Sequence, residues 1–222
     1  MEIRPIAHIQ TDLTTKFGVP RQSGVCALQG RIVFEKEYRV ADAFRGLEDF
    51  SYIWLLWDFS EAHRAEWSPT VRPPRLGGNK RMGVFATRSP FRPNNIGLSS
   101  VKLIKIDYDS TDAPVLIVEG ADLMNGTPIY DVKPYLPYTD AHPDAHDGFV
   151  SEAGEKAFQL NATITDELRQ KLTAKQADVL CEILSNDPRP HYQRSADREY
   201  VLPYNGLEIR FRVNDDKIMA WI

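Results

Sequence analysis

"FATRSPFRPNNIGLSSVKLIKIDYD", residues 85–109, is the stretch on which the reading of the fold turns. Proline fixes φ and pushes the residue before it into extended geometry, so Ser89-Pro90 and Arg92-Pro93 cannot lie inside a helix. The segment therefore reads as a rigid, irregular loop between two strands, "MGVFA" before it and "LSSVKLI" after it. Val101, Leu103, Ile104 and Ile106 carry the second strand towards a turn at Asp109-Ser110. Arg88 and Arg92 ride on the stiff loop, and preorganised guanidinium groups lose little entropy when they meet an anion. Asn94 and Asn95 offer turn geometry or amide groups for a base edge.

Working outward, the other runs before residue 140 have the same strand character. "RIVFEKEYRV" (31–40) alternates in part, with Ile32, Phe34 and Lys36 on one face. "YIWLLWDF" (52–59) is apolar on both faces, the pattern of a central strand covered on both sides. "APVLIVEGADL" (113–123) is a further β-branched run. Short strands parted by Gly, Pro and Asn clusters predict an all-β barrel or sandwich over residues 1–140. Residues 141–154 lack periodicity and read as a linker. The pattern then becomes helical. Thr165 is placed to cap a start, Thr173 and Gln176 form a capping box, and Ala177, Leu180, Cys181 and Leu184 follow one stripe until Pro188 and Pro190. "GLEIRFRVNDDKIMAWI" (206–222) reads as a hairpin turning at "NDDK". Residues 155–222 are thus expected to form a small, separate α+β unit on a mainly β protein.

Composition narrows the function. A net charge of −4 excludes a generally polycationic nucleic-acid binder, yet nine of the residues from Arg64 to Lys105 are basic and only Glu66 is acidic. Such segregation is the footprint of a polyanion site on one face. Cys26 and Cys181 lie far apart and read as free thiols in a reducing cytoplasm. "MEIRPIAHIQ" is no signal peptide, and no window approaches the roughly 18 apolar residues of a membrane span.

Several shorter motifs surround the central loop. "RPPRLGGNKRMG" (72–83) has Gly77-Gly78 for close backbone approach, with Lys80 and Arg81 available to phosphates, but it is neither a P-loop nor a Rossmann fingerprint. Arg21 and Gln22 in "KFGVPRQSG" (16–24) could bond a ligand. "DLMNGTPIYDVKPYLPY" (122–138) turns at Asn125-Gly126 and supplies Asp122 and Asp131, each a site acid or a turn former. His142 and His146 have helical ligand spacing, but Pro143 argues against a metal site, and none is expected. His63, beside Arg64, is the histidine best placed for function. Residue chemistry alone reaches an anion or nucleic-acid site on a β-rich domain.

"KFGVPRQSG", "PRLGGNKRMGVFATRSPFRPNNIGLSSVKL" and "DLMNGTPIYDVKPYLPY" together resemble the TsaA-like family, called TrmO in bacteria. The resemblance covers roughly residues 1–140, and "DPRPHY" (187–192) is similar to the family's C-terminal extension. It implies a single-sheeted β-barrel and a homodimer. It also implies transfer of a methyl group from S-adenosylmethionine to N6 of N6-threonylcarbamoyladenosine at position 37 of tRNA, beside the anticodon. Carried over by position, the cofactor residues are Arg21, Gln22, His63, Arg64, Arg88, Leu98, Asp122, Leu123, Met124 and Asn125. Lys80, Arg81 and Arg92 are then expected to face the anticodon loop, with Arg189, Arg194 and Arg198 as the alternative docking surface. Asp122, Tyr130 and Asp131 remain open as the group that takes the proton from the target nitrogen. Two departures from the family pattern stand out: Asn95 replaces a proline, and Tyr52 a histidine. The rival reading is a non-catalytic RNA- or nucleotide-binding module on the same barrel.

Overall fold

The computed structural model describes residues 2–73, 80–152, 159–189 and 198–222. Six strands close into one barrel: β1 (Ala7–Thr11), β2 (Gln29–Phe34), β3 (Tyr52–Asp58), β6 (Ile96–Asp107), β7 (Val115–Glu119) and β8 (Pro128–Pro134). Their order around the barrel is β1-β2-β7-β6-β3-β8, with every pairing antiparallel. The short strands β4 (Thr70–Val71) and β5 (Met82–Gly83) form a separate ribbon. Alternation explains closure, because one face of each strand is apolar and turns inward. Ile9, Ile32, Ile53, Leu55, Leu116, Val118 and Ile129 are buried, with Val101 and Leu103 beside them.

Four local expectations change. β3 is not covered on both sides: Ile53, Leu55 and Trp57 fill the barrel, whereas Trp54 and Leu56 are only half-buried on its outer face. A barrel strand buries one face even when its sequence is apolar on both. Lys36 does not continue the face of Ile32 and Phe34; the chain leaves β2 at Phe34 and makes a 3-10 turn over Lys36–Tyr38. "MGVFA" is a strand only at Met82–Gly83, after which Val84–Ala86 makes another 3-10 turn. The helical region splits into α3 (Asp166–Gln170), capped by Thr165, and α4 (Ala174–Ser185), opened by the Thr173/Gln176 capping box. Among the described residues of 141–154 lies one short helix, α2 (Phe149–Glu152), and α1 (Pro137–Asp140) precedes it. Gly77-Gly78, Pro190 and Arg194 lie outside the described residues.

The C-terminal hairpin forms as expected, β11 (Leu207–Asn214) against β12 (Lys217–Trp221). It belongs to a four-stranded sheet completed by β10 (Tyr200–Tyr204) and by β9 (Asn161–Ile164), which runs parallel to β12. α4 lays Ala177, Leu180, Ile183 and Leu184 on this sheet. The core beneath it also takes Leu13, Cys26 and Leu28 from the chain between β1 and β2. Phe17 stacks on Tyr200 and Phe211, and the Ala27 amide donates to Glu182 Oε2 at 2.7 Å. Hence residues 13–28 pack with the C-terminal sheet rather than with the barrel interior.

Candidate active site

At one end of the barrel a hydrogen-bonded chain leads from the core to the surface. Trp57 Nε1 donates to Ser99 Oγ at 2.9 Å, and Ser99 Oγ donates to Asp122 Oδ1 at 2.6 Å. Strand register builds it: Trp57 pairs with Gly97 on β6, one inward position from Ser99. A Cβ on Gly97 would lie 2.2 Å from the indole, so only glycine lets Trp57 pack flat against β6. Burial raises the pKa of Asp122 above the ordinary carboxylate value. Hydrogen bonds from Ser99 and from the Ser23 amide, and the nearby Arg88 charge, oppose that rise without cancelling it. Arg88 Nη1 in turn donates to Gln22 Oε1 at 2.5 Å. Gln22, Arg88 and Asp122, read from three distant motifs, are therefore joined.

Arg21 is held from the C-terminal side, its Nη2 donating to the Asp187 carbonyl at 3.1 Å. That turn is locked by a two-pronged pair, Arg189 Nε to Asp187 Oδ1 at 2.8 Å and Nη2 to Oδ2 at 3.0 Å, with both side chains buried. Arg189 is thus committed internally and does not offer its charge to RNA, whereas Arg198 lies 5.4 Å from the Tyr200 ring. Asn125 ties the turn after Asp122 to β1: its Oδ1 accepts from the Thr11 amide and its own amide donates to the Leu13 carbonyl. Leu123 is core, so only its backbone can serve a ligand, and Met124 is half-buried beside it. Leu98 is 54% exposed and lies on the face of β6 opposite Ser99. It does not share the Asp122 cluster within one chain.

A second constellation was hidden in the sequence. Asp58, buried at the end of β3, accepts from Tyr130 and lies 2.8 Å from His63 Nε2. Burial first, and then the Asp58 charge and hydrogen bond, raise the Tyr130 pKa. Tyr130 therefore keeps its proton and acts as a donor. A carboxylate closing the apolar run "YIWLLWD" was the available signal for Asp58; nothing distinguished Ser99 from any other strand serine. Asp131 instead pairs with Lys133 at 3.0 Å, half-exposed.

The loop carrying Arg88 is stiff for visible reasons. Asn95 Nδ2 donates to the Pro90 carbonyl at 2.6 Å, and the Phe59 amide donates to the Asn95 carbonyl. Asn95 is thus a fastener of the loop rather than a free base reader. Arg92 Nη1 donates to the carbonyls of Val84 and Thr87, and Arg64 stacks 3.5 Å over Phe91. Lys80 and Arg81, just before β5 in the chain, are exposed. Among the described residues, no group of three His, Cys, Asp or Glu side chains could hold a metal ion, and no helix is long and apolar enough to cross a membrane.

Sequence profiles agree with this geometry. The profile of the tRNA-methyltransferase O N-terminal domain matches residues 8–141, the span of the barrel and its loops, and that of the TrmO C-terminal domain matches residues 157–220. The chain belongs to the TrmO family. It is 40% identical over 221 residues to a tRNA (adenine(37)-N6)-methyltransferase of Escherichia coli (strain K12), covering 96% of this chain and 94% of that protein. The enzyme of the same name from Eikenella corrodens is 45% identical over 175 residues, 78% of this chain and 95% of its own length. A crystal structure of TrmO superposes with a TM-score of 0.78 at 28% identity, covering 100% of this chain and 97% of that one. Like other TrmO proteins, the chain is an S-adenosylmethionine-dependent methyltransferase acting on tRNA.

The donor set fits that cofactor. The carboxylate of its amino-acid end needs a cation, and the exposed Arg88, held by Gln22, is one that would serve.

Proposed function

We propose that this enzyme methylates N6 of N6-threonylcarbamoyladenosine at position 37, working as a cytoplasmic homodimer on the anticodon loop. The observation that carries the catalytic reading is the Trp57–Ser99–Asp122 chain, which presents a desolvated carboxylate where three family motifs converge. Arg21, Gln22, His63, Arg64, Arg88 and the backbone of 122–125 hold the cofactor, which supplies an electrophilic methyl group on a sulfonium. The target nitrogen belongs to a urea-like linkage and is a poor nucleophile until it loses its proton. Asp122 takes that proton. Its raised pKa makes it a stronger base than an exposed aspartate while the nitrogen gains its methyl group. Tyr130, kept protonated against Asp58, donates rather than accepts. Asp131, paired with Lys133, is assigned no proton transfer.

Lys80, Arg81 and Arg92 supply positive charge to the RNA face. Leu98, turned outward beside Ile96, belongs to a second chain's edge of the site in a dimer. Both cysteines are free, as suits a reducing compartment. Transfer of labelled methyl groups from S-adenosylmethionine to tRNA, with and without the threonylcarbamoyl group, tests the reading. Incorporation is expected only in the modified tRNA; equal labelling of both would overturn the substrate assignment.

A further inference from the structure

We propose that Trp67 and Phe85 form a stacking platform for an unpaired base of the RNA loop, on the same edge of the molecule as Arg88. The inference rests on the tRNA reading above and adds a binding site to it. The two rings stack on each other, centroids 6.1 Å apart at 28°, yet Trp67 is 50% and Phe85 71% exposed. Apolar rings left in water need a reason, and the local structure shows that Phe85 is held out rather than loosely placed. Val84 is buried and its amide donates to the Pro69 carbonyl at 2.9 Å. Thr87 Oγ1 closes the 3-10 turn on the Val84 carbonyl at 2.8 Å, and Arg92 Nη1 reaches that same carbonyl. With Val84 anchored inward, the turn over Val84–Ala86 can only present Phe85 outward. A ring fixed in this way stacks at low entropic cost.

Charge decides the occupant. The Arg92 guanidinium lies 5.7 Å from the Phe85 centroid, Arg64 covers Phe91, and Lys80 and Arg81 are exposed nearby in sequence. Aromatic faces interleaved with cations are how sequence-tolerant sites hold single-stranded nucleic acid, the rings taking bases and the cations the backbone. A second copy of the chain suits the patch poorly. A two-fold contact sets a surface against itself, and here it would oppose arginine to arginine with Glu66 as the single acid between Arg64 and Lys105. Phe85 stands three residues before Arg88, so a base held on it lies close in the chain to the cofactor residues. The platform steadies a neighbour of the target nucleotide while the target itself reaches Asp122.

The test uses the full chain and a fluorescein-labelled anticodon stem-loop bearing the threonylcarbamoyl group. Phe85→Ala and Trp67→Ala are each expected to weaken RNA binding about tenfold or more. The slope of log affinity against log salt should stay that of the wild type, because no phosphate contact is lost. Phe85→Tyr is expected to retain binding and Phe85→Leu to behave like the alanine variant, since the ring face rather than apolar bulk is what counts. Calorimetry with S-adenosylmethionine should give wild-type affinity throughout, which also reports an intact fold. Wild-type RNA affinity in both alanine variants overturns the platform and leaves the tRNA reading standing. So does a weakened affinity that accompanies dissociation in sedimentation velocity, which would identify the patch as a contact between copies. Absence of stem-loop binding by the wild type overturns the platform and the tRNA reading together.

Discussion

Asp122 shows what a single residue contributes and costs. Its folded-state pKa is raised, so between the unfolded and folded values the folded chain holds the extra proton. Stability attributable to this group is therefore greatest at low pH and falls as pH rises through that window. Asp122→Asn removes the penalty while keeping an oxygen for the Ser99 hydroxyl. It is expected to melt above the wild type near pH 7, with the difference shrinking towards pH 4, and to have lost methyl transfer. A melting temperature below the wild type at every pH would show that the carboxylate stabilises the fold. Gly97 is the other decisive residue. A methyl group there collides with the Trp57 indole, so Gly97→Ala should cost about 1–3 kcal/mol of stability in urea denaturation and slow turnover by shifting the Trp57–Ser99 bond. The glycine stood in plain view within the central motif. Its partner Trp57, forty residues earlier in the chain, did not.

At the scale of elements, the loop from Val84 to Asn95 was legible as rigid because proline restricts its own φ and its predecessor's conformation. What each polar side chain does there was not. Arg92 and Asn95 resemble ligand-facing groups in sequence, yet both bond to carbonyls of their own loop. Arg88, whose guanidinium meets Gln22 from a distant segment and is exposed, is the arginine we assign to the cofactor. Arg88→Ala is expected to weaken S-adenosylmethionine binding by roughly 1.5–3 kcal/mol in calorimetry, the worth of a charge-assisted hydrogen bond. Unchanged cofactor affinity in a folded variant would remove Arg88 from the site. The Lys80→Ala and Arg81→Ala variants should instead leave the cofactor alone and make the salt dependence of tRNA binding shallower by about one unit each. Arg92→Ala is distinct: freeing the carbonyls of Val84 and Thr87 should loosen the loop as well as remove charge.

For the whole molecule, the important fact is the contribution of residues 13–28 to the C-terminal core. We propose two units, 1–140 and 155–222, joined by 141–154, but the chain between β1 and β2 packs Leu13, Cys26 and Leu28 among C-terminal residues. Cutting after residue 140 exposes that apolar set, so the barrel fragment is expected to aggregate unless the C-terminal piece is supplied in trans. A soluble, cofactor-binding fragment would show that the barrel folds alone. The same packing lets the C-terminal unit hold Arg21, a residue we assign to the cofactor, through the Asp187 carbonyl. Arg189→Met removes the two-pronged pair that holds Asp187. It should cost about 1.5–3 kcal/mol and weaken cofactor binding by loosening the Asp187 turn that holds Arg21. Wild-type stability and affinity in that variant would separate the C-terminal unit from the site.

Sequence by itself determined the strand-rich N-terminal region, the capped helices, the closing hairpin, the positive segment and, through its long central motif, the family. These are local matters: alternation, capping and proline geometry act over a few residues, and motif identity needs no folding. Only the tertiary structure decided that β3 is covered on one side, that Ser99 and Trp57 prop up Asp122, that Asp58 gathers His63 and Tyr130, and that Phe85 stands exposed against Trp67. Each depends on barrel closure or on a contact between distant segments, which set side-chain direction and desolvation, and neither quantity is encoded in the spacing of residues along the chain.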